Sequence, residues 1–362
     1  MASPNMNPGG WAAGAVPTTN ITDQNAKVQT SQARVVQHHY VRAQLRDINV
    51  RKGDALIEAT IAALQETPQG RQCTRAQLLH GFHTMTSRLQ VADLTINIKA
   101  PSWFSAPNDS NSYTQMYERA VRALAAPGRP IRQMRLDNGD TNNPAAMRVN
   151  ADTKATFRNS MMHNADFEGF GRVMSPGNLV APAVDVRNGE LEASNPYFNP
   201  WSKQVFAALN YGRRPHGATV TYGHSSLVLN PKFKTNAVYF AGDTFANGVQ
   251  GSGMHVSAND QISFDLLGAI YGKASPQLRQ DLYKSCILNA TLPDAAPSAE
   301  LQLLLEAHLF EPLYFSGNIA KVIISSSERI NDRIATPQEL LNIENNARGF
   351  ARKHGAQLVL ID

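Results

Sequence analysis

The sequence predicts an α+β protein in which a small helical domain precedes a larger domain built on a β-sheet. Between residues 50 and 127, apolar side chains recur at the spacing of a helix face, as in the series Leu78, Phe82, Met85 and Leu89. After residue 150, short runs of β-branched and aromatic residues alternate with Gly, Asn and Pro, which is typical of strands joined by turns.

The first 34 residues are expected to form a disordered leader. They are rich in Asn, Thr, Gln, Ser, Pro, Gly and Ala, and only Asp23, Lys27 and Arg34 carry charge. Such a segment buries too little apolar surface to offset the entropy lost on ordering. In composition it resembles the unfolded export signals of type III secretion.

Residues 35–150 are assigned to a helical accessory domain that ends in a linker. Asp54 and Thr74 precede the first two apolar series and are predicted to cap those helices. A third series covers 113–124 and stops at a Pro-Gly pair, and the polar stretch 129–150 is predicted to be the linker.

Residues 151–362 are assigned to the sheet domain. Thr336 and Glu339 form a capping box with Pro337 at the first helical position, and Gly355 is placed to end that helix. Strands are predicted at 205–209, 226–229, 237–240, 321–324 and 358–361.

Charge and composition exclude several classes of function. Lys and Arg exceed Asp and Glu by five in 362 residues, and no basic run is present that would form a nucleic-acid or membrane arm. No apolar stretch reaches the roughly 18 residues of a membrane span, and no Sec signal peptide is recognisable.

The cysteines and histidines do not suggest a metal site. Cys73 and Cys286 are too few for a disulfide scaffold and lack the spacing of metal ligands, which favours a reducing site of action. His80 and His83 share a predicted helix but lack an evident third ligand.

Three segments of the second half stand out because of their order. Phe157-Arg158 comes first, Ser225-Ser226 follows within a Tyr-Gly-His-Ser-Ser stretch, and Glu306 comes last, after a loop with two prolines. This order resembles the bacterial mono-ADP-ribosyltransferase toxins of the arginine–serine–glutamate class. The resemblance implies a split mixed β-sheet and NAD as a substrate, with no metal.

A closer resemblance is to the bacterial effectors of the CteC type, which ADP-ribosylate host ubiquitin on threonine. It rests on the segments Ala-Leu-Asn, Tyr-Gly-x-Ser, Gly-Asp-Thr-Phe and Glu-Ala-His, and it covers roughly residues 153–325. It implies a host protein, ubiquitin, as the acceptor, and secretion into the host cytoplasm.

The chemistry of the residues agrees with these roles. Transfer of ADP-ribose breaks a glycosidic bond through a cation-like transition state, which a carboxylate such as Glu306 stabilises. Arg158 offers a planar fork for the pyrophosphate of NAD, with Arg213 and Arg214 as rivals in a turn-like segment.

The remaining candidates surround these residues in the sequence. Ser225 or Ser226 is expected to hydrogen-bond to the glutamate or to the nicotinamide, and strand alternation allows only one of the two to face the pocket. His308 is a candidate base for the acceptor hydroxyl. Tyr222, Gly223 and His224 are assigned to cofactor binding.

Leu304 indicates which type of side chain accepts the ADP-ribose. Arginine-modifying members of the class carry Gln or Glu two positions before the catalytic glutamate, whereas this chain has Leu304 there. A hydroxyl acceptor is therefore expected.

Two alternative functions stay open: a non-catalytic module that binds a host protein, and an NAD glycohydrolase with water as acceptor. A hydrolase triad of Ser226, His308 and Asp243 is disfavoured, because it needs only three common residue types.

Overall fold

The computed structural model describes residues 46, 48–113, 205–243, 261–296, 299–309, 313–330 and 333–362. The predicted leader, the linker, nearly all of the third helical series and Arg158 lie outside these residues.

The α-helices are α1 (Gly53–Gln65), α2 (Arg75–Val91), α3 (Ala100–Phe104), α4 (Ile270–Lys273), α5 (Pro276–Leu282) and α6 (Pro337–His354). The strands are β1 (Asp93–Ile98), β2 (Val205–Asn210), β3 (Ser225–Leu229), β4 (Ala237–Ala241), β5 (Leu305–Leu309), β6 (Ile319–Ser325), β7 (Arg329–Ile330), β8 (Arg333–Ile334) and β9 (Gln357–Ile361).

Within this part of the chain, seven strands form one mixed sheet in the order β4-β5-β2-β1-β3-β6-β9, and β7 pairs with β8 separately. All neighbours in the large sheet are antiparallel except β6 and β9, which run parallel on either side of the helix α6 in sequence. A parallel pair needs a crossover connection, and α6 supplies it. The predicted α+β class is confirmed.

The strand β1 lies in the middle of this sheet, between β2 and β3. It belongs to the part of the sequence that we assigned to a helical accessory domain. Residues of α1 and α2, such as Leu56 and Phe82, belong to the same apolar core as Leu209 of β2 and Phe350 of α6. The prediction of a separate helical domain therefore does not hold for the described residues up to 113.

Most of the local predictions are confirmed. The five predicted strands correspond to β2, β3, β4, β6 and β9, and Thr74 and Thr336 each close a complete capping box. Gly355 ends α6 in the left-handed conformation, with φ of 69°. The predicted cap at Asp54 is wrong, because α1 begins at Gly53 and Asp54 lies in its first turn.

The two faces of the sheet differ in chemistry. One face, here called the core face, carries buried apolar side chains such as Leu94, Leu209 and Leu305 and packs against the helices. The opposite face carries Thr95, Asn97 and Glu306, because alternate side chains of a strand point to opposite faces. We call it the loop face, for the segment that covers it.

That segment is the connection between β2 and β3, residues 211–224, here called the crossover loop. Both strands are antiparallel to β1, so they run in the same direction on either side of it. The connection must therefore cross β1, and it does so on the loop face: the amide of Ala218 donates to Oγ1 of Thr95, at 3.2 Å, and the amide of Thr219 to Oδ1 of Asn97, at 3.3 Å. Buried polar side chains of β1 thus hold the loop against the sheet.

None of the helices in the described ranges is long and apolar enough to cross a membrane.

Candidate functional site

Glu306 is a buried carboxylate in the interior of the sheet. It lies on β5, between β2 and β4, and its side chain is 3% exposed. Its register partners are Ala208 on β2 and Phe240 on β4, so its carboxylate lies on the loop face beside a small and a large apolar side chain.

His308 lies two residues further along β5 and shares the loop face with Glu306, because alternate residues of a strand point to the same face. Its Nε2 is 3.6 Å from Oε1 of Glu306, and its side chain is completely buried. The ring packs against Phe206 on one side and Phe240 on the other, with centroid separations of 4.8 Å in both cases. These rings fix the imidazole next to the carboxylate.

Leu304, the residue two positions before Glu306, packs against the crossover loop. It is 3% exposed and forms a small apolar cluster with Ala208 of β2 and Ala218 of the loop. The position at which arginine-modifying members of the toxin class carry Gln or Glu therefore makes apolar contacts in this protein.

Two acidic residues hold the tip of the crossover loop near the beginning of β5. The carboxylate of Glu300 accepts hydrogen bonds from the amides of Val220 and Thr221 and from the hydroxyl of Thr221. The hydroxyl of Tyr222 donates to Oδ2 of Asp243, at 2.7 Å.

Asp243 itself is buried, and it follows β4 by two residues. Its amide donates to the carbonyl of Leu301, and the preceding amide of Gly242 donates to the carbonyl of Leu304. These bonds bring Asp243 and Tyr222 to the end of β5 where Glu306 lies. Glu300 was not among the residues predicted from the sequence. Its local signal is that it is acidic among the otherwise uncharged residues 295–305.

The two serines do not meet Glu306, so the predicted hydrogen bond between a serine and the glutamate is wrong, whereas a hydrogen bond to the nicotinamide stays a prediction. Ser225 and Ser226 begin β3, which is separated from β5 by β1 and β2. Three inter-strand spacings amount to about 14 Å, beyond the reach of a serine and a glutamate side chain. The same separation excludes the hydrolase triad, because Ser226 and His308 are on these two strands.

Ser225 instead contacts a different glutamate. Its hydroxyl and amide lie beside the carboxylate of Glu328, together with the amide of Ala100, and Glu328 is 1% exposed. Ser225 also accepts a hydrogen bond from the amide of Ser325, at 3.1 Å. Burial raises the pKa of Glu328, and the hydrogen bonds to Ser225 and Ala100 oppose this only partly.

Replacing Glu328 with Gln should change how stability depends on pH. Because burial raises the pKa of Glu328 in the folded state, the folded protein binds its proton more tightly than the unfolded chain does. Stability is therefore lost as the pH rises above about 4.3, the ordinary value for glutamate. We expect Glu328→Gln to remove this part of the loss. The free energy of unfolding of the variant should therefore rise relative to that of the wild type as the pH rises.

Urea unfolding of both proteins at a series of pH values from about 4 to about 8 measures this difference. Glu344→Gln, a change at a carboxylate on α6 that forms an ion pair with Arg348, is the control for loss of a carboxylate elsewhere. Parallel profiles for wild type and Glu328→Gln would contradict the raised pKa.

Gly223 has a structural reason to be glycine. Its φ is 140°, and a β-carbon at this position would overlap the carbonyl of Ile98 at the end of β1. Its own carbonyl accepts a hydrogen bond from the Asn97 side chain, at 3.0 Å. The crossover loop therefore approaches the backbone of β1 as closely as only glycine permits.

Gly223→Ala should destabilise the protein by about 3 kcal/mol, since it adds both a clash with backbone and an unfavourable φ. Gly349→Ala is the matched control, because Gly349 lies inside α6 and has nothing within 4 Å of an added β-carbon. That control should stabilise the protein by about 0.5–1 kcal/mol. Urea unfolding measures both changes, and an equal response of the two variants would contradict the close approach.

His224 is the last residue of the crossover loop and contacts another histidine. Its ring meets that of His216 edge to face, with centroids 5.5 Å apart, and Nδ1 of His216 is 2.6 Å from Oδ2 of Asp294. Burial lowers the pKa of His224, and His216 lowers it further. His224 directly precedes β3, so it is separated from Glu306 by the same two strands as the serines.

The rival arginines both have protein partners. Arg214 is buried, lies 3.3 Å from Oδ2 of Asp281 and donates through Nε to the carbonyl of Pro293. Arg213, with a φ of 54°, donates to the side chain and the carbonyl of Asn289. These contacts tie the beginning of the crossover loop to residues 281–293, and the preferred candidate, Arg158, lies outside the described residues.

Among the described residues, no group of three His, Cys, Asp or Glu side chains is arranged to hold a metal ion. The cysteines Cys73 and Cys286 are both free thiols. Comparison of the sequence with protein-family models and with curated proteins found no match.

Proposed function

We propose that this protein is an NAD-dependent mono-ADP-ribosyltransferase with Glu306 as its catalytic carboxylate. The observation that carries the proposal is the position of Glu306, buried to 3% exposure inside a sheet next to His308 and phenyl rings. Burying a carboxylate costs free energy, and such groups are concentrated at functional sites. In this proposal the mixed sheet corresponds to the split sheet of that class.

In the proposed reaction, the bond between the ribose C1′ and the nicotinamide nitrogen of NAD breaks, and nicotinamide leaves. A bond forms between C1′ and the oxygen of an acceptor hydroxyl, whose proton passes to solvent. Positive charge develops on the ribose as the first bond breaks. The Glu306 carboxylate would stabilise that charge and hold a ribose hydroxyl, in surroundings with little water.

His308 fits a positioning role better than the role of general base. Its ring is enclosed by Phe206 and Phe240, and its Nε2 points to within 3.6 Å of Glu306. A side chain that is completely buried in this way is suited to hold the carboxylate in place, whereas a base must also reach a protein acceptor.

The proposed acceptor is a hydroxyl of a host protein, with threonine of ubiquitin as the first candidate from the resemblance. The apolar contacts of Leu304 support a hydroxyl, because this position offers neither a carboxylate nor an amide to orient a guanidinium. In keeping with the resemblance, the chain would act after secretion into the host cytoplasm.

The proposed ligand for the pyrophosphate of NAD is Arg158. The contacts of the rival arginines favour Arg158. Arg214 forms a buried ion pair with Asp281, and Arg213 donates a hydrogen bond to the side chain of Asn289. A guanidinium that already has partners must give them up to bind a phosphate.

The test is incubation of the full-length protein with NAD labelled in its adenine ring, with and without ubiquitin. Label transferred to ubiquitin supports the proposal, and mass spectrometry should find ADP-ribose on a threonine. Nicotinamide release without labelled protein would identify an NAD glycohydrolase. Absence of both, with retained binding to a host protein, would identify a non-catalytic module.

A further inference from the structure

The outer edge of β9 is a surface that the proposed reaction does not use. In the described part of the chain, β9 is the last strand of the sheet and pairs with β6 alone. Its sequence, Gln-Leu-Val-Leu-Ile, lacks the Lys, Pro or bulge with which proteins usually protect an exposed edge. Leu360, on this strand, is 50% exposed.

The backbone of β9 has hydrogen-bonding groups that point away from β6. The carbonyl of Ile361 accepts from the amide of Ser326, at 2.9 Å, so it points toward the β6 side. Because the N–H and C=O of one residue point to the same side and successive residues alternate, those of Leu358 and Leu360 point outward. They form a short row of donors and acceptors along the edge.

We propose that a second copy of this chain pairs with β9 in antiparallel orientation, so that two sheets join across a two-fold axis. With Val359 opposite Val359 of the second copy, Leu358 lies opposite Leu360. The N–H and C=O groups of both residues point outward. Each residue can therefore donate its N–H to the C=O of the other, as in a hydrogen-bonded antiparallel pair. A two-fold axis through Val359 thus allows a register that the backbone can satisfy.

The charges favour a second copy over an unrelated strand. In this register Asp362 of one copy lies opposite Ala356 of the other, next to the last turn of α6. That turn carries the exposed residue Arg352. The two-fold axis repeats this contact, so an acidic strand end meets a basic helix end twice.

Exposed apolar side chains near the edge of β9 support a second copy of the chain as the partner. The side chain of Asn346 donates a hydrogen bond to the carbonyl of Phe104, and that of Lys353 donates to the carbonyl of Asp109. One side of α6 therefore points toward the middle of the sheet. Leu341 lies on the other side by helical spacing and is 48% exposed. Together with Leu360 it extends the apolar surface that a second copy would cover.

Sedimentation equilibrium of the full-length protein tests the proposal. The mass should rise with concentration from 39.5 kDa toward twice that value. Leu360→Lys places a charge on the edge and should raise the dimer dissociation constant roughly tenfold or more. Leu288→Lys is the matched control, since Leu288 is 61% exposed and distant in sequence, and it should leave the constant unchanged.

Hydrogen exchange of the wild type adds a measurement that needs no variant. The amides of Leu358 and Leu360 should become protected as the dimer forms, while those of Val359 and Ile361 are protected in both states. A monomer at concentrations up to roughly 200 µM would overturn the proposal. A dimer that Leu360→Lys leaves intact, or a monomer whose β9 instead captures an extended peptide, would overturn it equally.

Discussion

Glu306→Gln should lower the rate of ADP-ribose transfer roughly 10²- to 10³-fold, the usual effect of removing one group that stabilises charge in a transition state. The glutamine has nearly the shape of the glutamate, so the contacts with Phe240 and Ala208 remain. It carries no negative charge, however, and cannot offset the positive charge on the ribose. The rate of nicotinamide release and the rate of labelling of the acceptor measure this change.

Because Glu306 is buried, loss of activity has to be separated from loss of structure. The variant should keep a cooperative urea transition and should still bind NAD in a calorimetric titration. Glu344→Gln, at a partly exposed position of α6, serves as the control and should retain full activity. Full activity in purified Glu306→Gln would exclude the proposed role of Glu306 and with it the proposed function.

The local elements were predictable because their signals are contained in a few residues. Thr74 and Thr336 each precede an apolar series and are followed three residues later by Gln77 and Glu339. This spacing satisfies the first amides of a helix wherever it occurs. Gly355 likewise ends α6 through a backbone conformation that glycine adopts without strain.

The strand β1 was missed although it carries a local signal. Polar and apolar residues alternate through Asp93–Ile98, which is typical of a half-buried strand, but the segment follows directly on a helix, as a connection would. Thr95 and Asn97 are buried only because the crossover loop, more than 100 residues later, bonds to them. A polar residue in such a strand has a partner that the local sequence does not contain.

The order of strands in the sheet explains why the two serines do not reach Glu306. Ser225, Ser226 and Glu306 follow one another in the sequence as in the toxin class, yet β1 and β2 lie between their strands. Sequence order constrains neighbours only weakly, because β2 and β3 can pair with each other or accept a strand between them. The contact that Ser225 does make, with Glu328, depends on β6 lying next to β3.

The last prediction follows from β1. A chain of residues 151–362 should fail to form a cooperative fold, although all three segments of the proposed site lie within it. It would lack β1, which pairs on both edges, and the core side chains of α1 and α2. The crossover loop would also lose Thr95 and Asn97, to which it is bonded.

Far-UV circular dichroism during urea unfolding and the dispersion of amide signals in an NMR spectrum measure this loss. A chain of residues 35–362, which lacks only the predicted leader, is the control and should unfold cooperatively like the full-length protein. Adding residues 1–113 to the truncated chain should restore a cooperative transition in part, because β1 and its helices then return. A dispersed spectrum and a cooperative transition for 151–362 alone would mean that β2 and β3 can close the sheet without β1.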